Sequence, residues 1–319
     1  MFRSMPIMKG AWIAVKTCMD VKPDETVFIV TDTAKVKIAE AFAYAAAAVG
    51  AKTVVAVMEP SRRHGEEPPK PVAEAMKAAD VVLIPTTRSL SHTDARREAT
   101  KLGVRIASMP GITEDMMSIG GLSADYRKIE ELTDKVAAIL EKGKMVEVTT
   151  PSGTNLTMNI EGRPPLKDTG LYHKPGDWGN LPAGEACLAP VEGTTQGLLV
   201  IDTMGRIVKQ PLRIVVQNGW AKKFEGPDAA KLEGLLKAAD ENAYNIGELG
   251  IGTNPKARLT GAVLEDEKVL GTVHVALGDN TSYVGGRTKS SVHLDGILLQ
   301  PTVKVDGRLM IEAGKLLVG

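Results

Sequence analysis

Two hydrophobic rhythms divide this chain. Between Thr26 and Pro110, continuous apolar runs rich in β-branched residues alternate with segments of helical spacing. TVFIV (26–30) reads as a strand, KVKIAEAFAYAAAAVG (35–50) as a helix stopped by Gly50, and TVVAVM (53–58) as the next strand. Then PVAEAMKAAD leads into DVVLIPT, and DARREATKLG leads into VRIASMPG. Strands that are apolar throughout and separated by helices imply a parallel sheet covered on both faces. The first half is expected to be a doubly wound α/β domain, closed by a long helix over 124–143.

Past Lys144 the pattern turns to short strands broken by glycine and proline, as in MVEVTTPSGTNLTMNI, GLLVIDT, TVHVALG and VHLDGILLQPTVKVDG. DAAKLEGLLKAADENA is the one clear helix there. The expectation is an N-terminal α/β domain over 1–144, followed by an α+β domain over 145–319 built on antiparallel sheet, with TPSGTN as a hairpin turn. The carboxyl edge of the first sheet, where such folds usually hold ligands, lacks both GxGxxG and GxxxxGK[ST], so nucleotide binding has little support.

Composition narrows the function. Lysine plus arginine equals aspartate plus glutamate at 39 each, so no basic field draws nucleic acid or anionic lipid. Cys18 and Cys187 stand far apart, which fits a reducing compartment rather than a disulfide framework. The N-terminal MFRSMPIMKGAWIAVKTCMDVKP is interrupted by lysines, unlike a secretory h-region, and reads as a first helix. No apolar run is long enough to span a bilayer. A cytoplasmic protein with a peptide or small-molecule substrate, and no nucleic-acid or membrane partner, is expected.

The stretch Gly271–Gly296 holds two of the five histidines. His293 and Asp295 stand two apart in a strand-like run, so both point to one face and can reach one ion. His274, in TVHVALG, alternates out of step with Val273 and Val275, and the loop GDNTSYVGG would let its strand and that of His293 lie as neighbours. Glu185 in NLPAGEACLAP and Glu248 in NIGELGIGTNP are carboxylates in apolar surroundings, which is costly unless a cation compensates. Cys187 shares the face of Glu185 and reads as a small buried side chain. Lys256 and Arg258 suit either a solvated turn or a substrate carboxylate, and His173 and Trp178 either an aromatic-anchored loop or a cleft mouth. HExxH and GxSxG are absent.

NLPAGEACLAPVEGTTQG, NIGELGIGTNPKARLTGAVLEDEKVLGTVHVALGDN and SSVHLDG, in that order, resemble the thermophilic metalloaminopeptidases (the aminopeptidase T and S type) and their 2,5-dihydroxypyridine 5,6-dioxygenase relatives. The likeness is densest over 178–296 and implies a metal site in the C-terminal domain. It assigns Glu185, Glu248, His274, His293 and Asp295 as ligands, Glu248 as the bridge and catalytic carboxylate, and Tyr283 as a ligand or oxyanion donor. The 274-to-293 interval is compressed against the peptidases, which displaces Tyr283. The expected activity is aminopeptidase-like hydrolysis by water activated on one or two divalent ions, zinc, cobalt or manganese. The alternatives are a ring-cleaving dioxygenase with one iron(II), and a non-catalytic binding protein on the same scaffold. The resemblance also implies a homodimer.

Overall fold

The computed structural model describes residues 5–318. In chain order its elements begin with α1 (Met5–Trp12), a π-helical turn (Ile13–Cys18), β1 (Thr26–Asp32), α2 (Val36–Val49), β2 (Lys52–Met58), α3 (Lys70–Lys77) and β3 (Val81–Thr86). Next come α4 (Asp94–Lys101), β4 (Arg105–Pro110), α5 (Glu114–Ser118), α6 (Tyr126–Lys142), β5 (Met145–Thr149), β6 (Asn155–Asn159) and β7 (Leu166–Asp168). After these follow β8 (Trp178–Asn180), β9 (Glu185–Leu188), β10 (Gln196–Ile201), β11 (Leu212–Gln217), β12 (Trp220–Glu225), α7 (Ala229–Ala239) and β13 (Ile246–Gly252). The chain ends through α8 (Val263–Asp266), β14 (Val273–Gly278), β15 (His293–Leu298), β16 (Thr302–Val305), β17 (Arg308–Glu312) and β18 (Lys315–Leu316). Contacts divide it into two compact units, one running to Glu130 and including Thr169–Ala183, the other comprising Glu131–Asp168 and the chain from Gly184 onward.

The first unit carries a parallel sheet in the order β2-β1-β3-β4-β8. Its helices start and stop where the side chains dictate. Thr93 caps α4 by accepting from the Arg96 N–H at 3.3 Å, and α2 ends at Gly50, whose φ of 96° lets its own N–H reach back to Ala46 and Ala47. β3 is buried along its whole length, as its apolar run requires. β2 departs from the two-sided cover expected of it, because it lies at the sheet edge and leaves Val54 and Val57 about half exposed, at 52% and 51%.

Trp178 belongs to β8, a short strand parallel to β4, so this part of the expected loop extends the sheet instead. The Arg96 guanidinium lies 3.6 Å from the centroid of the Trp178 ring. Burial, with the Arg97 charge nearby, pushes the Arg96 pKa down to about 10. His173 is tied to the Thr17 carbonyl at 2.8 Å.

The second unit holds two antiparallel sheets, β12-β11-β10-β6-β5-β16-β17-β18 and β15-β14-β13-β9-β7. Both contribute to one hydrophobic core: Val146, Leu156 and Ile214 from the larger meet Leu188, Leu249, Ile251 and Val275 from the smaller. The β5–β6 hairpin closes through the Thr150 N–H and the Thr154 carbonyl at 3.2 Å, in the PSG turn that the sequence marks. Among the described residues no helix is long and apolar enough to cross a membrane.

Candidate metal centre

The smaller sheet of the second unit sorts its side chains by parity. Leu249, Ile251, Val273, Val275, Leu277 and Leu298 enter the shared core. Their neighbours one residue along must point to the opposite face. The register aligns those neighbours. Gly250 pairs with Cys187 on one side and His274 on the other, Glu248 pairs with Ala276 and Ala276 with Asp295. Gly252 pairs with Glu185, and Gly278 with His293. Glu185, Cys187, Glu248, His274, His293 and Asp295 therefore emerge from four adjacent strands on a single face.

Their reactive atoms converge. Glu248 lies between the two imidazoles, with Oε1 3.3 Å from His274 Nε2 and Oε2 2.7 Å from His293 Nε2. His274 Nε2 is also 3.2 Å from Glu185 Oε2, and His293 Nε2 is 3.3 Å from Asp295 Oδ1. His274 fits only because residue 250 is glycine: a Cβ there would sit 1.9 Å from the His274 Nε2 atom. The His293 Nδ1–H donates to the Asp279 carbonyl at 2.7 Å, which orients the ring and turns Nε2 toward Glu248.

The loop from Asp279 to Val292 arches over this cluster and brings in Tyr283, whose ring centroid is 6.2 Å from that of His293. Glu192 anchors the loop by accepting from Asn280 Nδ2 at 2.9 Å and the Arg287 N–H at 2.8 Å, and it pairs with Arg163. Asp240 holds the other end, accepting from the Ser291 N–H at 2.7 Å. Burial, reinforced by the Glu248 charge, pushes the Tyr283 phenol well up, so it remains a neutral donor. The same two influences, burial first and then the Glu185 and Glu248 charges, keep the Cys187 thiol protonated.

Electrostatics follow from crowding several acids around two imidazoles. Burial alone would favour neutral groups. Hydrogen bonds and charge from His274 and His293 instead hold the Glu248 carboxyl well below its usual range. Against the cost of burial, Glu185 and Glu248 drive His274 well above its ordinary value, and Asp295 and Glu248 do the same for His293. His293 keeps 31% of its side chain exposed, so water screens part of its share.

The donor set fits a divalent ion. Its nitrogen and oxygen atoms stand 2.7–3.3 Å apart, the separation of neighbouring ligand atoms around one ion with bonds of ~2.1 Å. Glu185 Oε2 and His274 Nδ1 are buried without a hydrogen-bond partner. Two imidazoles with a carboxylate also match a site for iron(II) with open positions.

An ion must displace the imidazole protons, so its affinity is expected to rise with pH. Below the folded pKa values of the histidines, the logarithm of affinity should climb by up to about two per pH unit, one for each proton released. Stability of the metal-free chain runs the other way. The raised imidazoles stabilise it fully below their ordinary value of 6.5, and that contribution is lost as pH climbs through their folded values. The lowered Glu248 stabilises it above 4.5, and that is lost as pH falls through its folded value. Thermal denaturation with and without metal across pH checks both signs, and a pH-independent gap between the two curves contradicts them.

Lys268, Glu267 and Asp168 also belong to this cluster, and none of them stands out in the sequence, where Glu267 and Lys268 lie in the charged run VLEDEKVL. Lys268 is instead fully buried, with its ammonium among Glu185, Glu267 and Asp168. Burial, with the Asp295 and Glu185 charges, raises Glu267 to about 8 although Lys268 opposes the shift. Lys256 is exposed and Arg258 half-buried.

Comparison with known proteins places these features in context. The family model NicX, 2,5-dihydroxypyridine 5,6-dioxygenase, matches residues 8–318. The curated 2,5-dihydroxypyridine 5,6-dioxygenase of Pseudomonas putida KT2440 is 24% identical over 258 residues, covering 75% of this chain and 71% of that protein. The solved structure of 2,5-dihydroxypyridine dioxygenase from Pseudomonas putida KT2440 superposes with a TM-score of 0.80 at 18% identity, covering 98% of this chain and 97% of that one. Wild-type AmpT from Thermus thermophilus gives 0.72 at 17% identity over 100% of both chains. At that identity the likeness to AmpT is one of fold alone.

These matches overturn the expected aminopeptidase activity and the peptide hydrolysis that went with it. The physical reason is that imidazoles and carboxylates of the same types serve both reactions. The residues read from the sequence form a cluster whose donor types could hold a cation in either case, and such donor types alone do not decide the chemistry.

Proposed function

This chain belongs to the NicX family of 2,5-dihydroxypyridine 5,6-dioxygenases, and from that membership we propose that it cleaves a hydroxylated pyridine-type ring with dioxygen. The observation that carries the reading is the family match along residues 8–318, joined to two imidazoles and three carboxylates on one sheet face. His274, His293 and Asp295, with Glu248 between the imidazoles, are the proposed holders of one iron(II). Glu185 is the proposed third carboxylate of the centre, and residues 145–319 the catalytic portion of the chain. When bound, such an ion supplies the one-electron chemistry that lets dioxygen react with an electron-rich ring.

The protein's own groups prepare that reaction. The Asp279 backbone carbonyl, by accepting a hydrogen bond from His293 Nδ1–H, aims Nε2 at the centre. Glu248 holds the two imidazoles in a common orientation. Glu185 Oε2, buried 3.2 Å from His274 Nε2, is placed to accept a hydrogen bond from a ring hydroxyl. Tyr283, neutral across the working pH range, offers a phenolic O–H to a developing oxygen anion.

Anaerobic purification followed by elemental analysis and oxygen uptake tests the proposal. One iron per chain is expected, with oxygen consumption that depends on a dihydroxypyridine and stops when a chelator is added. Paired zinc with no oxygen uptake refutes the reading. In solution we propose a homodimer, which light scattering coupled to size exclusion measures directly.

A further inference from the structure

The geometry points to Lys268 as the residue that positions Glu185 in the metal centre, by occupying one carboxylate oxygen and leaving the other for the ligand space. Lys268 Nζ lies 2.5 Å from Glu185 Oε1, 2.8 Å from Glu267 Oε1 and 3.4 Å from Asp168 Oδ2. An ammonium has three N–H donors, and three carboxylates surround this one. The arrangement is enclosed, since the Lys268 side chain is 2% exposed. Oε2 of Glu185 is then the oxygen directed at His274 Nε2, 3.2 Å away. Glu185 can offer an ion or a substrate one oxygen and no second.

The backbone delivers the lysine to this point. The Lys268 carbonyl accepts from the Asn254 N–H at 2.9 Å, and the Thr253 N–H donates to the Gly184 carbonyl at 2.8 Å, next to Glu185. Gly252, the strand partner of Glu185, would carry a Cβ 2.0 Å from the Val269 carbonyl oxygen. The segment bearing Lys268 therefore lies flush on β13, a fit that any side chain at 252 would lift away.

The inference rests on the metal reading of the centre, and cobalt(II) is the probe that separates the two. Wild-type protein titrated anaerobically with cobalt(II) should develop visible absorption, and none would sink the metal reading itself. In Lys268→Met the cobalt dissociation constant is expected to rise by about 10–100-fold with an altered spectrum. In Glu185→Gln the same loss is expected, and the double variant should lose no more than either single, because the lysine acts through that carboxylate. A merely structural lysine would give losses that multiply. Should Lys268→Met fail to fold, Lys268→Gln gives the same readout. A folded Lys268 variant that binds cobalt with wild-type affinity and spectrum, or losses that multiply in the double variant, overturns the proposal.

Discussion

Gly250→Ala is expected to abolish the metal centre while the chain still folds. The added methyl group would lie 1.9 Å from Nε2 of His274 and 2.2 Å from Cε1, so the imidazole cannot stay where its ligating nitrogen faces Glu248 and Glu185. Alanine suits a strand better than glycine, so β13 itself has no reason to break. Displacing a ligand nitrogen by about 1 Å is enough to cost on the order of a hundredfold in turnover. Iron content below a tenth of wild type is the expected result, with a far-ultraviolet circular dichroism spectrum that is unchanged. Full iron occupancy in this variant would show that the His274 ring does not lie across residue 250.

Glu248→Gln is expected to have the second large effect. This carboxylate is 3% exposed and is the shared anion of both imidazoles. An amide keeps the shape but removes the charge, so the pull that raises His274 and His293 is cut, and an incoming cation loses its central carboxylate. Metal affinity should drop by roughly a hundredfold or more. Because metal-free protein also relies on the ion pairs, its thermal midpoint should fall near pH 6 and change less at high pH, where the wild-type imidazoles have lost their protons. Anaerobic iron titration and calorimetry at the two pH values check these outcomes. Unaltered iron affinity would remove Glu248 from the centre.

Much of this geometry was legible because a strand has a period of two. TVHVALG places valines and a leucine on one side and a histidine on the other, and VHLDG places His293 and Asp295 together. The alternating burial of these patterns is enough to infer a common face, and GDNTSYVGG is enough to infer that the two strands adjoin. The parallel sheet of the first unit was legible for a similar reason, since DVVLIPT has no polar side to turn toward water.

Other parts were hidden by physical causes. Trp178–Asn180 is too short and too polar to announce a strand, and only pairing with β4 makes it one. Lys268 sits in a charged run whose burial depends on its neighbour Glu267 and on two acids distant in sequence, Glu185 and, 100 positions away, Asp168. Gly250 carries no chemistry of its own, and its role is the space it leaves for a neighbour on another strand. The reaction was not legible either, because hydrolysis and ring cleavage draw on one palette of ligands.

The alternation in β13, β14 and β15 makes each strand answer to two demands at once. Inserting a single residue into β14 would carry His274 toward the oily interior and turn a valine outward among the acids. Such a frameshift of faces would injure cohesion and chemistry together. Changes in the loops that join these strands spare both faces.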